Sequence, residues 1–304
     1  MLSNAPPWIN LSATSPDPLR TALFDAQTGT RGEEQVLVLD AAAKTFPFPG
    51  FAQKPILSIN RGFTAPVSLD QDVSREDQVF LAAHDDDPFA RYEALQDLIV
   101  GHLTDAAEGS LDDGARARGR ADIAGALEEI SADNALDDLM RVELLVLPGE
   151  AYLAEQLTIA DPGKVHAERQ SLRAYLGTQL AAQFLALYER AAKTAFSLDA
   201  AARGARKVKT QALVYLAASD PQKAAQLAAQ QYDGADNMTD RQGALMVLAG
   251  LDSPQRTHKL LDFYNRFSGN DLVIDKWFAL QASSLHPSAL EHVKALADHP
   301  QFTL

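Results

Sequence analysis

Cysteine is absent from all 304 residues of the chain. Disulfide bonds, cysteine-ligated metal centres and thiol nucleophiles are therefore excluded. Positive charge is also scarce, since 27 lysines and arginines stand against 41 acidic residues, for a formal charge of −14. Because so acidic a surface repels phosphate groups, we expect neither nucleic acid nor a membrane surface as a partner.

Long apolar runs are missing as well. No stretch of about 18 consecutive apolar residues occurs, so no segment is predicted to span a membrane. The first residues also lack the basic and apolar segments of a secretory signal. We therefore expect a cytoplasmic protein.

The motifs of common hydrolases and nucleotide-binding proteins are not found. None of the seven histidines has another histidine four residues on, so the His-Glu-x-x-His zinc motif is absent. The Gly-x-Ser-x-Gly motif of serine hydrolases is absent too. The stretch 109–119 contains three glycines but no lysine and no preceding strand, so we expect an exposed, mobile loop there. We predict no catalytic, cofactor-binding or metal-binding residue in this chain, although carboxylates with perturbed pKa values escape a search by pattern.

The densest group of metal-ligand side chains is His84-Asp85-Asp86-Asp87. A calcium loop needs spaced ligands and a glycine for its turn, and this segment has neither. Asp87 directly precedes a proline and then an apolar helical pattern. We therefore interpret the segment as a polar turn whose last residue caps the helix beginning at Pro88, with a metal site as the minor alternative.

The residues up to about 73 show the alternation of short strands. Apolar segments are separated by turn formers, with no helical pattern between them; the segments are 22–25, 34–40, 44–48, 56–60 and 66–69. This spacing predicts a small antiparallel Ig-like β-sandwich over residues 18–73. Residues 1–17 show little pattern, and we expect a leader into the sandwich.

From Ser74 onward the pattern is helical. The longest apolar stripe runs from about Asp161 to Lys193, and helix starts then follow near 199, 220, 239, 253, 270 and 286. Consecutive pairs of these starts repeat every 30–40 residues, which is typical of paired-helix solenoids of the ARM or HEAT type. We therefore predict an α-solenoid over 74–304, in which Trp277 packs in the core or between repeats. The segment 300–304 follows a helix without a polar capping unit, so we expect truncation and an exposed apolar face there.

Three stretches resemble the bacterial aminopeptidase N family of gluzincin zinc peptidases. Ile59–Leu69 resembles the end of the family's Ig-like domain, and Phe80–Gln96 resembles the opening of its helical domain. The most specific stretch pairs Asp236–Asp240 with Asp275–Ala282, in the family's order and spacing. The resemblance implies that this chain is the C-terminal portion of such an enzyme, starting from about Pro18 and truncated at both ends relative to the family.

The resemblance also implies which parts the chain lacks. The family's zinc motif and its Gly-Ala-Met-Glu-Asn motif lie N-terminal to this region, so zinc is expected only in a separate catalytic domain. The helical domain would form a bowl that closes over the active-site cavity, with that catalytic domain and peptide substrates as partners. Two alternatives stay open: a stand-alone interaction scaffold, and the non-catalytic half of a split aminopeptidase.

Overall fold

The computed structural model describes residues 8–12, 17–38, 40–48, 50–51, 54–67, 69, 71 and 73–302. Five strands lie at its start: β1 (Trp8–Ser12), β2 (Pro18–Phe24), β3 (Gln35–Val38), β4 (Ala43–Pro47) and β5 (Ile56–Ile59). All strand pairs are antiparallel, with β2 between β3 and β5 in one sheet and β1 beside β4 in the other. The predicted small antiparallel β-domain is confirmed.

The buried residues of β2 form the centre of the core of this domain. Leu23 packs with Leu37 of β3 and with Phe48, and all three side chains are buried. Leu19, four residues earlier on the same strand, packs with Ile59 in a neighbouring cluster. Two predictions differ from the structure: strand β1 lies inside the expected leader, and the described residues of 66–69 form no strand.

Thirteen helices follow among the described residues: α1 (Arg75–His84), α2 (Pro88–Glu108), α3 (Asp113–Ala132), α4 (Asp138–Leu145), α5 (Glu150–Glu155), α6 (Pro162–Gln179), α7 (Ala181–Ala192), α8 (Ala200–Ser219), α9 (Pro221–Gly234), α10 (Met238–Ala249), α11 (Pro254–Phe267), α12 (Asp271–Ala282) and α13 (Ala289–Ala297). The predicted helix starts agree with α8 to α13 to within a few residues. None of these helices is both long and apolar enough to cross a membrane.

The prediction of an exposed, mobile loop at 109–119 is wrong. Gly109 ends α2 in the left-handed conformation, at φ 78°, and α3 begins only four residues later. The Asp112 carboxylate accepts a hydrogen bond from the backbone N–H of Ala115 at 2.7 Å, which caps the new helix. The alanines and arginines that follow favour helix strongly enough to offset the glycines at 114 and 119. The helical stripe predicted over 161–193 is likewise divided, into α6 and α7, at Leu180.

Contacts divide the chain into two compact units. One comprises residues 1–130 and 147–165, and its helical core includes the buried Leu95, Ile99, Ile123 and Leu127. The other comprises residues 131–146 and 166–304. Because the first unit contains both strands and helices, the predicted domain limits of 18–73 and 74–304 stay a prediction.

Helix α8 is the centre of the second unit. It packs against α4, α7, α9 and α10, and α10 in turn contacts α12, so α4, α8, α10 and α12 form a continuous row. Helices α9 and α11 pack together as a second layer behind this row. Such two-layered stacking is the arrangement of helical-repeat domains, and the predicted α-solenoid is confirmed.

Two glycines let α8 approach its neighbours closely. A Cβ on Gly177 of α6 would lie 2.4 Å from the Tyr215 carbonyl oxygen, and one on Gly204 would lie 2.9 Å from the Leu139 nitrogen of α4. The ring of Tyr215 stacks on Phe184 with 4.3 Å between centroids. Its hydroxyl donates a 2.7 Å hydrogen bond to the Leu145 carbonyl, so α8 is joined to α4 and α7 by both packing and polar contact.

The segment around α13 exposes apolar side chains. Leu285, Leu290 and Phe302 are all exposed, and α13 contains no buried residue. The apolar face expected at 300–304 and self-association through it stay predictions, since residues 303 and 304 lie outside the described part of the chain.

Candidate functional site

The polar turn at 84–87 is built as predicted, with one addition. Asp87 caps α2 by accepting a hydrogen bond from the Ala90 backbone N–H at 2.9 Å. Asp85 and Asp86, however, both bind the guanidinium of Arg61, at 2.8 and 2.6 Å. Arg61 also donates to Glu34 at 2.9 Å. The turn is therefore part of an ion cluster that connects the end of the β-domain to the start of α2.

Burial determines the electrostatics of this cluster. The side chains of Arg61 and Asp85 are 3% and 0% exposed. Burial raises the pKa of Asp85 above its ordinary value, against the hydrogen bonds and the Arg61 charge that lower it. Burial alone would lower the pKa of Arg61, but the hydrogen bond to Asp86, the charge of Asp85 and the hydrogen bond to Glu34 raise it overall. The cluster is a structural anchor, and no local sequence signal predicts it because its three carboxylates lie 24 to 27 residues from Arg61 in the chain.

The histidines do not form a metal centre with their neighbours. His286 and His292 come close, with 4.7 Å between ring centroids. The Nδ1 atom of His292 lies 2.9 Å from the Arg256 guanidinium. Burial first, and the Arg256 charge second, lower the pKa of His292. Within the described ranges, no three His, Asp or Glu side chains could hold a metal ion together. These donors do not fit a catalytic zinc.

The family-like stretches in the second unit have structural roles. Asn237 caps α10 through the Asp240 backbone N–H at 2.9 Å, while the Asp240 carboxylate pairs with Lys209 of α8 at 2.8 Å. Trp277 donates from Nε1 to the Leu260 carbonyl at 2.9 Å and packs against the Tyr264 ring. Trp277, predicted to pack in the core or between repeats, thus packs between α11 and α12.

The structure adds a surface that the sequence analysis did not identify. Two cavities, of about 450 and about 420 Å³, open along the row of helices α4, α8, α10 and α12. They share Gln211, Met246 and Leu280 in their linings, so the two cavities lie side by side on one surface. We call this surface the α8–α10 groove. A sequence pattern could not reveal it, because its lining comes from five helices and the segment after α12.

Three features of the groove carry its chemistry. Side-chain amides and hydroxyls line it, including Gln170, Gln211 and Ser284. Met246 and Leu285 expose apolar surface in it, at 43% and 56%. Its charged lining residues are Arg173, Arg206, Lys207 and Glu143. The groove therefore offers hydrogen bonds, apolar contact and a local excess of positive charge, but no nucleophile paired with a base.

Comparisons with known proteins agree with the division into a β-domain and a helical domain. Residues 13–72 match a family model described as a domain of unknown function with an Ig-like fold, DUF3458. Residues 75–304 match a second model, described as a domain of unknown function with ARM repeats, DUF3458_C.

Similar full proteins are much longer than this chain. It is 33% identical over 271 residues to aminopeptidase N of Caulobacter vibrioides, covering 89% of this chain and 31% of that protein. It is 29% identical over 283 residues to aminopeptidase N of Escherichia coli, covering 91% of this chain and 32% of that protein. A solved structure, Legionella pneumophila aminopeptidase A in complex with aspartic acid, superposes with a TM-score of 0.78 at 24% identity, over 99% of this chain and 38% of that one. The chain thus spans about a third of the relatives it matches.

Proposed function

We propose that this chain serves as the non-catalytic C-terminal region of an aminopeptidase N-type zinc metallopeptidase. The chain belongs to the DUF3458_C family of ARM-repeat domains. One observation carries the proposal: about nine-tenths of the chain aligns with aminopeptidase N, yet it accounts for only a third of each relative. The relatives resemble this chain through both of its domains and not through one common module alone.

In this proposal the chain shapes and closes access to the active-site cavity. The helical rows provide a stiff wall, and the Arg61 cluster holds the first helices rigidly against the β-domain. A catalytic domain, in the same chain or in a separate one, would hold the zinc that polarises the scissile carbonyl of a peptide. Within the described part of this chain no donor set fits that metal, so hydrolysis is assigned to the partner domain.

A hybrid enzyme tests the proposal. The matching C-terminal region of the Caulobacter vibrioides aminopeptidase N is replaced by this chain, and the hybrid is compared with the same catalytic portion lacking any replacement. We expect the hybrid to hydrolyse alanine p-nitroanilide and short peptides and to exclude a folded protein with an accessible N-terminus. This chain by itself, with zinc added, should show no hydrolysis.

Two results would contradict the proposal. Hydrolysis by this chain alone would show a catalytic centre that the proposal denies. Equal behaviour of the catalytic portion with and without this chain would show that the chain does not control access. Restored hydrolysis on mixing separate portions would favour the split-enzyme form, in which the catalytic domain acts in trans.

The α8–α10 groove favours one alternative, an interaction scaffold. Solenoid domains commonly bind partners along a continuous helical face, and this groove lies on such a face. A scaffold would bind its partner without any catalytic domain, whereas the proposed peptidase region needs one. In either case we propose a cytoplasmic location, which cell fractionation followed by immunoblotting tests.

A further inference from the structure

We propose that the α8–α10 groove binds a peptide in extended conformation, with an apolar side chain beside Met246 and acidic side chains toward Arg173. The choice of a peptide, among other chain-like ligands, rests on the proposed function. The groove itself is an observation about this chain, and it is independent of any catalytic domain.

The size and continuity of the groove suit a chain-like ligand. Each of its two cavities has the volume of a small-ligand pocket, and they are joined through Gln211, Met246 and Leu280. The lining passes from α4 across α8 and α10 to the segment after α12. A ligand that fills both cavities must therefore be elongated and must lie across the helices of the row.

The polar lining matches a peptide backbone, which presents N–H and C=O groups along its length. Gln211 lies at the junction of the cavities, where its Nε2 atom donates to the Leu145 carbonyl at 3.0 Å, which fixes the amide in place. The Nε2 atom of Gln170 is buried without a hydrogen-bond partner within the described residues. A buried donor without a partner costs free energy. Its Oε1 atom is held by Arg173 at 2.8 Å, so the amide orientation is defined.

The apolar contact is supplied by a side chain suited to varied partners. Met246 is 43% exposed although it lies on a helix whose neighbours Leu245 and Val247 are buried. Methionine is flexible and polarisable, so it adapts to apolar side chains of different shapes. Leu285 at 56% exposure and Leu280 extend this apolar surface within the first cavity.

Charge favours the proposed peptide over a second copy of this chain as the occupant of the groove. Among the charged lining residues, Glu143 pairs with Lys207 at 3.2 Å, so Arg173 and Arg206 supply a net positive charge in a chain whose formal charge is −14. The local positive excess attracts an acidic ligand. Two copies of the chain, by contrast, repel each other through their net charge. An acidic, partly apolar peptide is therefore the occupant that these observations favour.

A binding measurement on the intact 304-residue chain tests this inference. The probe is a fluorescein-labelled, N-blocked and C-amidated octapeptide, Ser-Asp-Leu-Ser-Leu-Asp-Ser-Gly, followed by fluorescence anisotropy. We expect saturable binding that weakens when both aspartates of the peptide are replaced by lysine. Met246→Glu should weaken binding at least about tenfold, because it places a like charge where the apolar side chain and the acidic ligand meet.

Leu261→Glu is the matched control. Leu261 is an exposed leucine of α11, 57% accessible, and it lines neither cavity. This variant should bind the probe within about twofold of the unmodified chain, since exposed substitutions away from the groove rarely matter. Circular dichroism of both variants verifies that each is folded.

Three results would overturn the inference. The first is the absence of saturable binding at peptide concentrations up to about 1 mM, because a dissociation constant above that value means very weak binding. The second is equal weakening by Met246→Glu and Leu261→Glu. The third is a dimer, seen in size-exclusion chromatography, that Met246→Glu converts to a monomer, because a second copy would then occupy the groove. The probe is blocked and no catalytic domain is present, so these failures leave the hybrid-enzyme test of the proposed function unaffected.

Discussion

Replacement of Arg61 by methionine tests the ion cluster that joins the β-domain to the first helices. The change keeps most of the side-chain volume but removes the charge that compensates Asp85, whose carboxylate is fully buried. Removing one partner of a buried ion pair costs about 3–5 kcal/mol, because an unpaired charge remains in the interior. We therefore expect Arg61→Met to lower the free energy of unfolding by about that amount at pH 7.

The effect should depend on pH in a defined direction. The pKa of Asp85 is already raised by burial, and without Arg61 it rises further, so acid protonates the carboxyl and removes the buried charge. In the unmodified chain Glu34 has a lowered pKa, due first to its hydrogen bond with Arg20 and then to that with Arg61. Its stabilising contribution is present above its unfolded pKa and is lost as the pH falls through the folded value. Both effects reduce the difference in the free energy of unfolding between Arg61→Met and the unmodified chain as the pH falls from about 7 to about 4.

Arg31→Met is the matched control for this prediction. Arg31 pairs with Asp86 at 3.1 Å and lies 4.0 Å from Glu34, but its side chain is 38% exposed. Such a surface pair contributes about 0–1 kcal/mol. Urea unfolding followed by far-UV circular dichroism, at pH 7 and at pH 4, measures both variants. The reasoning is refuted if Arg61→Met destabilises the protein no more than Arg31→Met, or if its effect grows in acid.

Two further predictions concern the helices. Gly177→Ala should destabilise the second unit by about 1–3 kcal/mol, because the new Cβ would meet the Tyr215 carbonyl at 2.4 Å. Gly125→Ala, in an open part of α3, should instead stabilise by roughly 0.5–1 kcal/mol, and thermal unfolding that ranks the two variants equally would contradict the packing argument. Asp220→Ala should cost about 1 kcal/mol through loss of the cap on the Lys223 backbone N–H, which lies 3.0 Å away. Asp220→Asn should lower the free energy of unfolding much less. Equal losses for Asp220→Ala and Asp220→Asn in urea unfolding would show that the cap contributes nothing.

Local patterns predicted the elements well where a cap or a proline marks the start of a helix. Asp87 before Pro88 and Ser253 before Pro254 both lie where α2 and α11 begin, because each cap bonds to backbone within its own first turn. Prediction failed where propensity and glycine content gave opposite signals. At 109–119 the glycines suggested a loop, whereas helix-favouring neighbours and the Asp112 cap produce a helix.

Two local features escaped the sequence analysis for a different reason. Strand β1 depends on pairing with β4, with partners 31 to 39 residues away, so its own residues carry little pattern. The break at Leu180 divides a continuous apolar stripe. No proline or glycine lies at the break itself, so no residue type there predicts it. Strand β1 is thus decided by pairing between distant segments.

The sequence by itself determined the order of a β-domain and a helical-repeat domain, the main helix starts and the absence of the common catalytic motifs. These depend on periodicity, caps and composition, which act over a few residues. Only the tertiary structure brought Glu34, Arg61 and Asp85 into one ion cluster and placed Gln211 beside Met246 in a groove. Such juxtapositions arise from packing between elements distant in the chain, and burial, not spacing, sets their electrostatics.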